Sequence, residues 1–333
     1  MDKERFLWAD SLKGLLMLLV IIGHAIQVVL KGECFNNHIW NLIYSFHMPA
    51  FVAISGWFSY REKREKSSYL KSCIRRAHQL LIPYIYWSFI SCVLGGLTLQ
   101  RFSYIILSPD TYFWFLWVLF WICCLFVLSQ RIADWLKIDE FIPIALVGLV
   151  LIILMVFLDL RVFGYQFLAY YFLFYVLGYC IHRFKFLQIK NFVVLALFAV
   201  IWGAMAWFWN MHELPTWIST TSYIPDFLLQ YIYRGVTAVL AVLVLFGLAP
   251  RLLNEGTRMN IWFTNIGVLS LGLYVLHLII INYIYDFVQL FIPCPPVWCT
   301  IGIISVLTFI LSFLIVRILA RTKWTARVLL GKI

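Results

Sequence analysis

The sequence predicts an all-α integral membrane protein that crosses the bilayer about ten times. Three observations predict it: the composition, a series of apolar runs of spanning length, and the side on which the basic residues collect. Of 333 residues, 64% are hydrophobic and 12% charged, where soluble domains carry roughly 45–50% and about 25%. Mean hydropathy is +0.92. Too little polar surface is available to cover a globule in water. That excludes a secreted disulfide scaffold, a nucleic-acid-binding domain and a soluble dinucleotide-binding enzyme. The net charge of +11 follows from basic residues massed on the cytoplasmic side.

A spanning helix needs about 20 apolar residues. Runs near 10–30, 39–59, 80–98, 112–130, 141–158, 166–182, 191–210, 227–249, 262–285 and 297–319 supply ten candidates. With the first residues cytoplasmic, 22 of the 26 Lys and Arg fall on the inner side. They are Lys3, Arg5, Lys13, seven residues of segment 61–79, Arg131, Lys137, Arg183, Lys185, Lys190, Arg251, Arg258 and five from Arg317 onward. Lys31, Arg101, Arg161 and Arg234 remain for the outer side. Ten helices with both termini cytoplasmic is the topology this bias predicts.

The first run is too long for a cleavable signal and no small-residue cleavage site follows it. Residues 1–333 read as a single transmembrane domain with no soluble domain appended. Segment 61–79 reads as a basic cytoplasmic interfacial helix. It either anchors to anionic headgroups or receives an anionic cytoplasmic cofactor. Cys92, Cys123, Cys124 and Cys180 lie in apolar runs, where thiols pack as small hydrophobes. Cys294 and Cys299 share one loop at a spacing that allows a local disulfide without requiring one. No spacing suggests a metal site.

An ionisable side chain at bilayer depth costs about 2.5–3.5 kcal/mol on insertion scales, so those that remain inside the spans are informative. All 15 acidic residues fall in loops or near helix ends, which argues against carboxylate-coupled transport. Counted at about 1.5 Å per residue, His24 lies about 9 Å from the outer end of its helix, and His47 and His277 about 12 Å. Arg234 comes out near 10 Å by the same rise. Three histidines and an arginine from four helices therefore share a layer. Singly, each reads as an interhelical hydrogen-bonder or, for Arg234, a snorkelling cation. As a set they suit proton transfer on a hydroxyl with an arginine for an anionic group or developing oxyanion.

The first two spans carry more than composition. Asp10-Ser11-Leu12-Lys13-Gly14 opens the first, and His24 follows Lys13 after ten residues. The second reads Ser45-Phe46-His47-Met48-Pro49 and then Ser55-Gly56-Trp57. Arg75-Arg76-Ala77-His78-Gln79 precedes Pro83-Tyr84, and Ser270-Leu271-Gly272-Leu273-Tyr274 runs on to His277. In this order and spacing the chain resembles the acyltransferase family 3 membrane O-acyltransferases, in particular the fucose 4-O-acetylase-like subgroup.

The resemblance implies a ten-helix enzyme that moves an acyl group from cytoplasmic acetyl-CoA to a hydroxyl of a cell-surface carbohydrate or its lipid-linked precursor. It implies His24 as the catalytic histidine, with His47 and His277 orienting it or shuttling the proton. Ser55 or Arg234 would hold the acyl oxygen or touch the acceptor. Lys13, Arg75 and Arg76 would bind the acyl-CoA. The family's Arg-x-x-Arg has Gln79 at its second position here, and its Ser-Gly-Phe has Trp57. For Ser55-Gly56 the alternative is close helix packing.

No metal and no nucleic acid are expected. The partners are acyl-CoA, the glycan acceptor and the lipid bilayer, with self-association left open. The compartment is a plasma membrane, which the resemblance narrows to a bacterial inner membrane. Two alternatives stand beside this reading: a transporter or flippase of a glycan precursor or anionic metabolite, and acylation of a non-sugar acceptor by the same chemistry.

Overall fold

The computed structural model of the chain describes residues 6–60, 69–96, 98, 103, 105, 113–158, 162–218, 225–253, 256–292 and 296–332. Every regular element among them is helical. In chain order these are α1 (Leu7–Leu30), α2 (His38–Tyr44), α3 (His47–Trp57), α4 (Tyr69–Arg76), α5 (Ile82–Leu94), α6 (Trp114–Leu136) and α7 (Phe141–Leu158). Then follow α8 (Tyr165–Arg183), α9 (Phe192–Trp207), α10 (Asp226–Leu252), α11 (Arg258–Val268), α12 (Ser270–Phe291), α13 (Val297–Leu319) and α14 (Lys323–Leu330).

Among the described residues, seven helical stretches are long and apolar enough to cross a membrane, and Phe141–Phe157 and Phe192–Trp207 are shorter apolar helices. Leu146, Leu197, Val200 and Ile310 stand exposed on these helices, as side chains facing lipid do. This is a multi-pass, all-helical membrane protein.

Two of the ten apolar runs fold differently from a plain span, each for a local reason. The run 39–59 is two helices, α2 and α3, parted at Ser45–Phe46. Pro49 cannot donate to the carbonyl four residues back, and its ring would clash with it; that carbonyl is Ser45's. The run 262–285 is also two helices. Leu269 leaves helical geometry (φ −100°, ψ 4°) between α11 and α12. Its amide reaches only three residues back, to Ile266, at 3.0 Å.

Segment 61–79 joins the next run without a break among its described residues. Residues 61–68 lie outside the described set, and the rest leads into the run at 80–98: α4 continues into α5 through a π-turn, Ala77–Leu81. Pro83 near the start of α5 again explains the geometry, since it frees the Gln79 carbonyl. The widened turn absorbs the misfit, with the Ile82 amide bonding to Ala77. The Cys294–Cys299 pairing that the spacing allows falls outside the described residues because Cys294 does; Cys299 is exposed.

The chain divides into two compact units. The first comprises Met1–Ile54 and Cys180–Arg317, the second Ser55–Tyr179 and Ile318–Ile333. In the first unit, α1 crosses α11 at van der Waals contact of the two backbones. A Cβ on Gly14 would collide with the Phe263 carbonyl, and one on Gly267 would collide with the Asp10 carbonyl and stand 3.1 Å from the Gly14 nitrogen. The Ser11 hydroxyl bonds the Asn260 carbonyl at 3.1 Å and shares a 2.8 Å hydrogen bond with Thr264. Small residues allow the approach, and the buried hydroxyls fix its register.

In the second unit, α14 closes onto the π-turn. The Trp87 indole donates to the Leu329 carbonyl at 2.8 Å. Gly331, left-handed at φ 61°, lies against the Gln79 carbonyl, where a Cβ would clash. Glu140 is buried at the head of α7, its carboxylate accepting from Tyr179 at 2.5 Å and from Gln130 at 3.3 Å.

The α1–α11 crossing makes a prediction. Gly267→Val should lower stability by about 1–3 kcal/mol or more through overpacking. Gly235→Val should be tolerated, because nothing lies within 4 Å of a Cβ there. Thermal unfolding in detergent checks the contrast, and equal Tm values for the two variants would contradict the crossing.

Candidate functional site

The first unit brings the three membrane histidines together. α1 carries His24, and the ring of His277 from α12 lies 5.2 Å from it between centroids. The break before α3 delivers His47, whose ring lies 4.8 Å from Tyr44 at the end of α2. Tyr44 in turn stands 6.2 Å from His24, edge to face. One tyrosine ring therefore neighbours two of the histidines, and the third packs directly on His24. His47 and His277 are 3% and 0% exposed.

Two of the rings have their tautomer set by the backbone. His47 Nδ1 faces the Ile43 carbonyl at 2.7 Å, and His277 Nδ1 faces the Leu273 carbonyl at 3.0 Å. A carbonyl only accepts, so each Nδ1 carries hydrogen and a neutral ring keeps its lone pair at Nε2. The Nε2 of His277 is buried without a hydrogen-bond partner among the described residues. The Tyr44 hydroxyl donates to Gln27 Oε1 at 3.2 Å, one turn beyond His24. Gly23 is needed for this arrangement: a Cβ there would stand 2.9 Å from the Tyr44 ring.

The shared layer read from helix ends is reached by another route for His277. It lies fourteen residues before the end of α12, about 21 Å along the axis rather than about 12 Å. Contact with His24, not distance from a helix end, is what places it.

Arg234 is in the same unit but does not join the histidines directly. Its guanidinium lies over the Trp209 ring at 5.4 Å and the Tyr231 ring at 5.7 Å, and its Nη1 donates to the Met211 carbonyl at 3.4 Å. Trp209 approaches Trp40 at 6.4 Å between rings, and Trp40 stacks on Tyr44 at 3.8 Å and 20°. Two indoles thus link the arginine to the tyrosine beside the histidines.

Lys13 stands on α1 eleven residues before His24, three turns along and within about 20° of the same face. Its ammonium pairs with Asp10 at 2.7 Å. The remaining residues singled out from sequence belong to the second unit. Arg75 and Arg76 end α4, and Arg76 Nη1 donates to Gln79 Oε1 at 3.3 Å within the π-turn. Ser55 precedes Gly56, whose Cα side lies flat on α8: a Cβ there would be 2.7 Å from the Tyr175 carbonyl carbon. Close packing therefore accounts for Gly56. Among the described residues no three His, Cys, Asp or Glu side chains are placed to share a metal ion.

Chemically, the first unit offers imidazole nitrogens that take up or pass a proton, a phenol beside two of them, and a cation two rings away. Tyr44, Trp40 and Trp209 escaped the sequence reading. Aromatic residues near helix ends look like interface belt, and only the spacing Tyr44-x-x-His47, one helical turn, hinted at contact.

A family model described as an acyltransferase domain matches residues 6–317. The nodulation protein NolL of Sinorhizobium fredii is 31% identical over 160 residues, covering 43% of this chain and 42% of that protein. NolL of Mesorhizobium japonicum is 33% identical over 127 residues, covering 35% and 34%. The chain thus spans about two fifths or less of the length of these relatives. No solved structure matches.

The packing of Gly23 on Tyr44 is testable by a double-mutant cycle. Gly23→Ala should destabilise by about 1–3 kcal/mol, and in a Tyr44→Leu background much of that cost should vanish, a coupling above about 0.5 kcal/mol. Additive Tm changes would contradict the contact.

Proposed function

We propose that this chain, which belongs to the acyltransferase family whose domain model it matches, is a membrane O-acyltransferase that moves an acetyl group from cytoplasmic acetyl-CoA to a hydroxyl of a cell-surface carbohydrate or its lipid-linked precursor. The observation that carries the reading is the packing of His24 on His277 at 5.2 Å with Tyr44 and His47 beside them. A single buried histidine is ordinary in a membrane bundle; two on one tyrosine, with the third packed on the first of them, suit proton handling.

In this reading His24 takes the proton of the acceptor hydroxyl as its oxygen attacks the thioester carbonyl. The carbon–sulfur bond breaks, the acetyl ester forms, and coenzyme A leaves as the thiol, with the proton returning to its sulfur. His277 and His47, with Nδ1–H tied to backbone carbonyls, orient and relay through Nε2. A covalent acetyl-histidine at His24 is the variant of this scheme in which the same bonds exchange in two steps.

Lys13, Arg75 and Arg76 supply charge for the phosphates of coenzyme A, and Gln79 steadies Arg76 where the family places a second arginine. Arg234 or Ser55 meets the acyl oxygen or the acceptor. Ten membrane crossings with both termini cytoplasmic, in a bacterial plasma membrane, complete the reading. The charge bias of the sequence supports that count, as do the seven long apolar helices, the two shorter ones and the broken run made of α2 and α3.

The test is acetyl-CoA-dependent release of free coenzyme A by the detergent-purified chain, with and without a crude cell-glycan fraction. Glycan-stimulated release is expected, with His24→Ala lowering it by at least about 10²-fold while the protein remains in the membrane. Arg76→Ala should raise KM for acetyl-CoA more than it lowers kcat. Near wild-type turnover in His24→Ala would falsify the assignment, and a chain that neither binds nor consumes acetyl-CoA would turn the reading to transport.

A further inference from the structure

We propose that helix α14 is a positioning element of the acyl-CoA site. Seated on the π-turn through Gly331 and Trp87, it holds Gln79, and through Gln79 the Arg76 guanidinium, in place for the phosphates of coenzyme A. The proposal deepens the acyl-transfer reading and rests on it for the role of Arg76.

The residues of α14 divide by face. Ala326 and Leu330 are buried, whereas Lys323, Trp324 and Arg327 are exposed. A helix of eight residues is too short to hold itself together in water, so what it packs against decides its place. It meets α5 and the π-turn. The buried Trp87 indole of α5 donates to the Leu329 carbonyl at 2.8 Å, one of the last carbonyls that a helix leaves without an internal partner.

Gly331 makes the contact with the site. It ends α14 in the left-handed conformation, at φ 61°, and the Lys332 amide turns back to the Ala326 carbonyl at 3.0 Å. A Cβ on Gly331 would stand 3.0 Å from the Gln79 carbonyl carbon and 3.2 Å from its Cα, and nearer still to its oxygen. Backbone rests on backbone there, with no flexible side chain between them to absorb a shift. Gln79 Oε1 in turn accepts from Arg76 Nη1 at 3.3 Å.

The π-turn is where such support is needed. Pro83 has no N–H to give to the Gln79 carbonyl, so the residue that steadies Arg76 lacks one bond of its own helix. Gly331 covers the carbonyl that Pro83 frees. One residue is thus held from outside by α14 through its backbone, and holds the arginine through its side chain. From sequence alone Gly331 reads only as a helix stop; its seat on Gln79, 252 positions away, gives it a second task.

The experiment follows binding of radiolabelled coenzyme A to the full chain in detergent by equilibrium dialysis, together with KM and kcat for acetyl-CoA. Wild type, Gly331→Ala, Arg76→Ala and the double variant are compared. Gly331→Ala should weaken coenzyme A binding and raise KM by about 5–10-fold, the worth of one hydrogen bond to a charged group, with kcat nearly unchanged. In the Arg76→Ala background the same substitution should cost less than about 2-fold. Trp87→Phe, which keeps a ring and removes the N–H, should act in the same direction by about 2–5-fold. It takes the place of Gly331→Ala in the cycle if that variant does not fold.

Wild-type binding in both Gly331→Ala and Trp87→Phe, or a weakening of equal size with and without Arg76, overturns the proposal and leaves the transfer reading intact. So does a fall in Tm and kcat at unchanged KM, which makes α14 a plain structural prop. A wild-type chain that binds no coenzyme A overturns the transfer reading, and the proposal with it.

Discussion

The crossing of α1 on α11 is the constraint on which the site depends. Gly14 and Gly267 bring two backbones into contact, and Ser11 pins the register through Asn260 and Thr264. A helix fixed at that point has its rotation fixed along its length, at about 100° and 1.5 Å per residue. Ten residues past Gly14, this rotation sets His24 against His277. A side chain larger than hydrogen at either glycine would push α1 outward or turn it, and the histidine pair would part before any catalytic group was touched.

A second constraint comes from proline. Pro49 breaks the second apolar run, so α3 starts at His47 and that ring reaches back to the Ile43 carbonyl. Pro83 widens the turn after Arg76 and frees the Gln79 carbonyl, the surface on which Gly331 rests. In both cases a missing N–H, a local cost in helix stability, produces the irregular backbone beside His47 and after Arg76. Irregular turns of this kind recur at functional sites in helices.

Much of this was legible in the sequence because membrane proteins advertise their constraints. The apolar runs located the long helices, and the cost of ionisable groups in lipid singled out His24, His47, His277 and Arg234 before any coordinates. Breaks inside apolar runs were not legible by hydropathy, since Ser45-Phe46 and Leu269 are as apolar in context as their neighbours; Pro49 was the signal for the first. Trp40, Tyr44 and Trp209 stayed hidden because an aromatic near a helix end is equally at home in lipid headgroups. Which ring turns inward is decided by partners from distant sequence, here Gln27 for Tyr44 and Arg234 for Trp209. The proximity of His24 to His277, 253 residues apart in the chain, was suggested by depth but established only by packing.

The account stands or falls on the fate of the acetyl group. Incubating the purified chain with [1-14C]acetyl-CoA and a cell-glycan fraction, then separating products by mild alkaline hydrolysis, follows that group directly. The account predicts alkali-labile label on the glycan, formed in step with coenzyme A release. Label recovered only as acetate or as unreacted thioester would contradict it.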